Sequence, residues 1–274
     1  MDELQEKGYV VLPSILTQEK VEKAKTLFFE WLKSVPQYES YHKRDSFHGI
    51  MKYGEIGHQK HTWFIKTCPE VQKVFKELWA TDELVTGFDG TCWIPPEMTH
   101  PDTHWTHTDQ AASAKGLHCI QGLVSLTSNV ERTFVVYEKS HILHEHYMNL
   151  KGFTGKRNWR IIDKEYLKEI ECCRKVVKVN AGDMILWDSR TFHQSQYGNL
   201  PEERLVQYVC FLPKNHRSNN PLIKKKRKHY FERRLTTSHW PYPLQVNAYY
   251  PPNEVLDIPR TDISEYEEEI QKII

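Results

Sequence analysis

His107-Thr108-Asp109 lies inside the polar run HPDTHWTHTDQ, residues 100–110. On an extended strand, residues i and i+2 point to the same face. An imidazole and a carboxylate so placed can grip one metal ion from one side. A lone His-x-Asp arises often by chance, so the pattern needs a third ligand, typically a His on a later strand. AGDMILWDSRTFHQS, residues 181–195, offers one. Ala181-Gly182-Asp183 reads as a turn, Met184–Trp187 as a buried strand, and His193 follows at its far end. Eleven residues on, Arg204 precedes the apolar run LVQYVCFL. In an antiparallel pair, His193 and Arg204 fall near each other. Two imidazoles and one carboxylate on one face of an octahedral ion leave three positions open. A buried guanidinium nearby is a planar fork for a carboxylate. A dicarboxylate can chelate such a metal at one end and pair with Arg204 at the other. One position then remains for O2.

Other residues compete for these roles. His100-Pro101-Asp102 repeats the His-x-Asp spacing, but Pro101 removes a ladder donor and suits a loop. His104 reads as a pocket wall. His141, His144 and His146 follow Ser140 as a helix opening. Their spacing shares no tight face, so a second metal site is not expected. Substrate-side candidates are Trp105 and Gln110 beside the metal motif, Lys66 in WFIK, and Asp188 and Arg190 before His193. SHWPYP, residues 238–243, reads as an aromatic segment over the pocket mouth.

These residues need a frame. Gly8–Leu12 reads as a strand. Thr17 is an N-cap for a helix with apolar Val21, Ala24, Leu27, Phe28 and Leu32. Residues 37–62 are polar and read as a long loop or irregular layer. Pro69–Trp79 is a second helix. Strands are expected at Leu84–Phe88, His118–Leu126, Thr133–Tyr137, Lys175–Val179, Met184–Trp187 and Leu205–Leu212. Residues 141–171 between them read as helix or loop. The pattern predicts an α+β protein with a jelly-roll or barrel core. Residues 1–83 form a mainly helical layer, 84–213 the core, and 214–274 a basic loop and an acidic C-terminal helix. No linker or repeat divides the chain, so a single domain is expected.

Composition sets outer bounds. The 274 residues carry 37 Lys+Arg and 36 Asp+Glu, a net charge of +1, which excludes a uniformly basic coat protein. No apolar run approaches the roughly 18 residues of a membrane helix. The opening MDELQEKGYVV lacks the pattern of a secretory signal. The six cysteines include no C-x-x-C pair, which argues against a thiolate zinc site and for reduced thiols in the cytoplasm. The near-neutral charge is a cancellation. Residues 214–234 sum to +8 and residues 253–274 to −5. KKKRK, residues 224–228, matches an anion-binding or nuclear-entry pattern, although such runs are ordinarily solvated loops.

The chain resembles the phytanoyl-CoA dioxygenase-like branch of the Fe(II)/2-oxoglutarate-dependent oxygenases over most of its length. GYVVLPSILTQEKVEKA resembles the family's opening strand and helix, and WTHTDQ its metal motif. EKSHILHEH stands where the family has a Pro-Gly-Ser-His turn. AGDMILWDSRTFHQS with Arg204 resembles the distal-His segment and its arginine. The resemblance implies a double-stranded β-helix, a cupin-like jelly roll. It implies Fe(II) on His107, Asp109 and His193, and 2-oxoglutarate on Arg204 with Ser195 as a second contact. O2 is consumed, and ascorbate serves as a reductant. Halogenating relatives lack the carboxylate, so Asp109 favours hydroxylation, with succinate and CO2 released. No segment marks a CoA-binding surface, so an acyl-CoA substrate is not carried over. The expectation is a dioxygenase acting on a small molecule, anionic if a basic surface contacts it. The chain is expected in the cytoplasm, with 224–228 as a route to the nucleus. Two alternatives stand beside it: a non-catalytic metal-binding jelly roll, and an oxygenase acting on nucleic acid through the basic loop. The balanced charge and the lack of a reader motif argue against nucleic acid.

Overall fold

A computed structural model describes residues 2–46, 48–247 and 258–274. The chain begins with α1 (Asp2–Lys7), β1 (Tyr9–Leu12), α2 (Gln18–Ser34), α3 (Pro36–Asp45), α4 (Lys60–Thr67) and α5 (Pro69–Trp79). Then come β2 (Leu84–Thr86), β3 (Thr91–Ile94), β4 (His107–Thr108), β5 (Ile120–Ser125) and β6 (Asn129–Tyr137). α6 (Ser140–Leu150), β7 (Arg160–Ile161) and α7 (Lys164–Glu169) lead to β8 (Arg174–Val179), β9 (Met184–Asp188) and β10 (His193–Ser195). The chain closes with β11 (Arg204–Val209), β12 (Phe211–Pro213), α8 (Pro221–Glu232) and α9 (Glu267–Ile273).

The strands build two five-stranded antiparallel sheets. One has the order β1-β9-β5-β11-β3, the other β7-β4-β10-β6-β8. Their facing arrangement is the jelly-roll core expected from the alternation of strands. A separate two-stranded ladder joins β12 to β2. Alternation along β11 shows how the layers divide. Leu205 and Val209 pack outward with residues of the helical layer, including Val21, Phe28, Phe75 and Ile270. Val206 packs inward with Leu123, Phe134, Val136 and Trp187. Each face of the first sheet is therefore covered, which explains the near-continuous apolar runs of β5, β9 and β11.

Local signals place the helices. The Thr17 hydroxyl accepts from the Lys20 N–H at 3.4 Å, and α2 buries Val21, Ala24, Phe28, Trp31 and Leu32 along one stripe. α5 starts on Pro69, whose missing N–H is unneeded there. In the C-terminal segment, Ile263, Ile270 and Ile273 are buried.

Three expectations change. Residues 37–62 are not a long loop, because α3 and the start of α4 occupy much of them. Their buried face is aromatic rather than aliphatic. Tyr38 meets Trp31 at 5.7 Å, and the His42 ring stacks on Trp93. A periodicity sought in Leu, Ile and Val misses such a helix. The run Leu205–Leu212 divides at Cys210 into strands of two different ladders. The basic run 224–228 is not a loop but lies within α8. Asn220 caps that helix by accepting from the Ile223 N–H at 3.1 Å, and Pro221 fills its first turn. Lys224, Lys225 and Lys228 are exposed, but Arg227 is buried. Its guanidinium donates to Asn219 Oδ1 at 2.9 Å and to the Pro241 carbonyl at 2.7 Å. One member of the basic cluster is thus a tie between α8 and the 238–243 segment. Among the described residues, no helix is long and apolar enough to cross a membrane.

Gly8 joins α1 to β1 with φ +85, and an added Cβ would lie 2.5 Å from His141 Nδ1. Its carbonyl accepts from the Asp188 N–H at 3.0 Å and the Thr191 hydroxyl at 2.8 Å. The N-terminal strand thereby braces the turn that precedes His193.

Arg227→Leu should lower unfolding free energy by about 1–3 kcal/mol, because it leaves buried acceptors unpaired. Lys224→Gln should change it by less than about 0.5 kcal/mol. Urea denaturation of both variants checks this, and equal effects would remove the structural distinction within the run.

Candidate metal centre

β4 and β10 are neighbours, and His107 is directly opposite His193. Asp109 follows β4 by one residue. The ligand atoms of His107, Asp109 and His193 all lie within 4.8 Å of one another, and all three residues are buried. Among the described residues this is the one group of three or more His, Cys, Asp or Glu so arranged. Asp109 Oδ2 is 3.7 Å from His107 Nε2 and 3.4 Å from His193 Nε2.

Each imidazole is held in the same way. His107 Nδ1 donates to the Trp105 carbonyl and His193 Nδ1 to the Thr191 carbonyl, both at 2.9 Å. A proton on Nδ1 leaves the Nε2 lone pair of both rings directed at one point. Backbone acceptors of this kind fix tautomer and ring plane in metal sites. Burial, with His193 alongside, pushes the His107 imidazole down to about 4, so it is neutral at pH 7. Burial alone would raise the Asp109 carboxyl. Nearby His107 and the contact with His193 outweigh that and hold it well below the usual carboxylate range. The donor set is therefore two imidazole Nε2 atoms and one carboxylate. It fits a divalent first-row metal and leaves open positions.

Neighbouring strands supply the frame. The Ser189 carbonyl accepts from the Asp109 N–H and the Thr108 hydroxyl, each at 3.0 Å. Ser189 in turn donates to Gln110 Oε1 at 2.8 Å. Gln110 donates to the carbonyls of Ala114 and Gly116. Its side chain is thus fully engaged away from the cavity beside the triad, contrary to the expected substrate role. Asp188 and Arg190 also depart from that role. They pair with each other at 2.6 Å and close the turn before His193. Lys66 is wholly buried and donates to Asp89 Oδ1 at 2.5 Å and the Gly87 carbonyl at 2.9 Å. Of these two, Asp89 lines the cavity and Lys66 does not. Burial pushes the Asp89 carboxyl up to about 6 despite the neighbouring ammonium. Gln110, Asp188, Arg190 and Lys66 do not line the cavity, and each has close partners within the scaffold.

The cavity over the triad measures about 480 Å³. Trp105 and Ser195 line it, as do Phe134, Trp187 and Tyr208. The Trp105 ring stacks on His107 at 4.9 Å and on His48 at 4.0 Å. Its indole N–H donates to the Ser195 carbonyl at 2.9 Å. Trp159 is 40% exposed yet sits 5.8 Å from the His107 ring, so one ligand is flanked by two indoles. Ser238, His239 and Trp240 from the 238–243 segment also line the cavity. Asp102 is used elsewhere, accepting from the Tyr197 N–H at 2.6 Å. His104 meets the Ile162 carbonyl, His141 the Gln5 carbonyl and His144 the Gln110 carbonyl.

Arg204 is 2% exposed at the start of β11. It shares a strand face with Val206 and Tyr208, the last of which lines the cavity. Arg204 donates to Cys92 Sγ at 2.7 Å and hydrogen-bonds Tyr208. It has no acidic partner among the described residues, an expensive state for a buried cation.

Sequence reasoning missed several lining residues. Gln121 on β5 is two residues from Leu123, so alternation aims it inward, and an inward polar residue in an apolar strand was the available signal. Its amide donates to Asp109 Oδ2 at 3.1 Å. His239 was hidden within a segment read for its aromatics. Lys156 and Arg157 sit in a loop with no motif.

No protein-family model matches the chain. Ava biosynthesis cluster protein O of Aspergillus versicolor is 27% identical over 264 residues, covering 88% of this chain and 85% of that protein. Among solved structures, the non-heme alpha-ketoglutarate-dependent carbocyclase SnoK of nogalamycin biosynthesis superposes with a TM-score of 0.54. It is 17% identical, over 77% of this chain and 82% of that one. EctD from S. alaskensis, solved with 2-oxoglutarate and 5-hydroxyectoine, gives 0.54 at 14% identity, over 77% and 74%. The fold is thus one used by 2-oxoglutarate-dependent non-heme iron enzymes.

His107→Ala and His193→Ala should each remain folded by circular dichroism and lose saturable Co(II) binding at concentrations that fill the wild type. Binding retained in both would reject this centre.

Proposed function

We propose that the chain is an Fe(II)- and 2-oxoglutarate-dependent dioxygenase that hydroxylates a small molecule. The observation that carries this reading is a pair of features, the first lining the cavity and the second bonded to Tyr208 of its wall. One is a two-His, one-carboxylate centre with both Nε2 atoms preset. The other is a buried arginine without an acidic partner among the described residues. The fold shared with SnoK and EctD supports it. When bound, iron and 2-oxoglutarate supply an oxidant able to break an unactivated C–H bond, with succinate and CO2 as co-products.

The chain's own residues have separate tasks in this scheme. His107, Asp109 and His193 hold the metal on one face. Arg204 receives the distal carboxylate of 2-oxoglutarate, and the Ser195 hydroxyl is a second donor to it. Trp105, Phe134 and Trp187 exclude water from the reacting carbon. Asp109 fills the third protein position, which favours hydroxylation over halide transfer. Ascorbate is the reductant that keeps the iron ferrous between turnovers.

The cavity's charge bears on the substrate. Lys52, Lys156 and Arg157 line it and are exposed at its rim. The carboxylates lining it among the described residues are Asp89 and Asp109. The first is bound by Lys66, and the second belongs to the triad. No lining acid remains to neutralise the three rim cations. With indoles of Trp105, Trp159 and Trp240 beside them, this supports a flat apolar substrate carrying an anionic group. Anion recognition is thus placed at the cavity rim rather than on the 224–228 helix. We place the reaction in the cytoplasm, consistent with six free cysteine thiols.

Succinate should form from 2-oxoglutarate in the presence of Fe(II), O2 and ascorbate, even without substrate at a slow uncoupled rate. Asp109→Ala should abolish it, and undiminished turnover would sink the assignment in favour of chance co-purification. Arg204→Met should raise the KM for 2-oxoglutarate about 10–100-fold, as expected for losing roughly 1.5–3 kcal/mol of charged hydrogen bonds. In thermal-shift assays of the metal- and N-oxalylglycine-loaded protein, aromatic carboxylates should stabilise more than their primary amides. That preference should shrink in Lys156→Gln/Arg157→Gln; amides binding equally well would reject the anionic class.

A further inference from the structure

Gln121 lies on the inward face of β5, opposite Trp187 of β9. Its side chain is 2% exposed as a residue and makes two contacts through one atom. Nε2 donates to Asp109 Oδ2 at 3.1 Å and faces His239 Nε2 at 2.6 Å. A carboxylate oxygen only accepts, so the end of the amide facing Asp109 must be the NH2 group. That group has two hydrogens. One is spent on Asp109, and the other points to His239. The His239 Nε2 must then accept, which places the His239 proton on Nδ1. Both amide hydrogens are thereby committed, and the Asp109 oxygen turned toward both metal-ligand imidazoles is the one being held.

The geometry points to Gln121 and His239 as positioning residues for the metal-binding carboxylate. Gln121 fixes the Asp109 rotamer, and His239 fixes Gln121. His239 arrives on a different part of the chain from every other contributor to the centre. The segment carrying it is tied down on both sides. Thr237 donates its N–H to the Phe88 carbonyl at 2.9 Å, and the Pro241 carbonyl accepts from Arg227. The segment flanking the cavity is thus coupled to the metal ligand through two side chains. A group bound against Ser238 or Trp240 can bear on Asp109 through this route.

The proposal rests on the metal-centre reading, and Co(II) titration of the full-length chain separates the two. Gln121→Leu should raise the Co(II) dissociation constant roughly 10–100-fold, the usual effect of removing a partner of a metal ligand. It should also alter the d–d absorption bands, which a distant packing defect leaves alone. His239→Leu should give a smaller rise. His239→Gln, whose Oε1 can still accept from the Gln121 amide, should restore wild-type affinity. In the double variant Gln121→Leu/His239→Leu, the affinity should equal that of Gln121→Leu, because His239 acts through Gln121. Unchanged affinity and bands in Gln121→Leu would overturn the proposal, and additive effects in the double variant would overturn the coupling. If Gln121→Leu does not fold, the comparison of His239→Leu with His239→Gln decides: equal affinities reject it. A wild-type chain that binds no Co(II) would instead overturn the metal centre itself.

Discussion

Three lone pairs aimed at one point constrain this structure. His107 Nε2, His193 Nε2 and Asp109 Oδ2 converge in a buried space, while both Nδ1 protons are committed to backbone carbonyls. Acceptors so arranged repel unless a proton or a cation lies among them. The arrangement survives because the surrounding hydrogen bonds leave each group little freedom to turn away. The Ser189 carbonyl holds the backbone of Asp109, and Gln121 holds its side chain. Pairing of β4 with β10 brings the two imidazole centroids within 4.4 Å, their planes tilted by 55°.

Much of the remaining architecture supports those few contacts. β4 is only two residues long and cannot hold a register alone. It is clamped between β7 and β10, and the turn before β10 is braced by Gly8 from the N-terminus. The Asp188–Arg190 pair and the Ser189–Gln110 hydrogen bond stiffen that turn from within. The 234–247 stretch reaches the cavity from the other side, anchored by a buried arginine of α8. The jelly roll provides two rigid sheets, and the function lies in what faces the space between them.

Polar residues near the centre divide by their satisfaction. Lys66, Asp188, Arg190 and Gln110 each have close intramolecular partners and stay out of the cavity. Arg204 has a thiol and a phenol but no acid among the described residues. Lys52, Lys156 and Arg157 face a cavity whose two lining acids are otherwise engaged. This difference, rather than proximity in sequence to His107 or His193, separates groups available to a ligand from groups that hold the frame.

The alternation of apolar strands sufficed to read a jelly-roll or barrel core, and the i, i+2 spacing of His107 and Asp109 sufficed to read a shared face. Both are local geometry, dictated by the pleat of a strand. The expected antiparallel pairing of His193 with Arg204 was wrong: β10 pairs with β4 and β6 in one sheet, and β11 with β3 and β5 in the other, a partition set by the tertiary fold. The helix α3 was not legible, because its buried face is Tyr38 and His42 rather than aliphatic. Nor was the helical state of 224–228, where charge density hid the cap at Asn220 and the burial of Arg227. Above all, sequence could not distinguish a polar residue turned into the cavity from one turned into the scaffold. Gln110 and Gln121 are both buried glutamines near Asp109, one spent on loop carbonyls and the other on the Asp109 carboxylate. Which is which depends on partners 4 to 118 residues away, and only the packed chain brings those partners into reach.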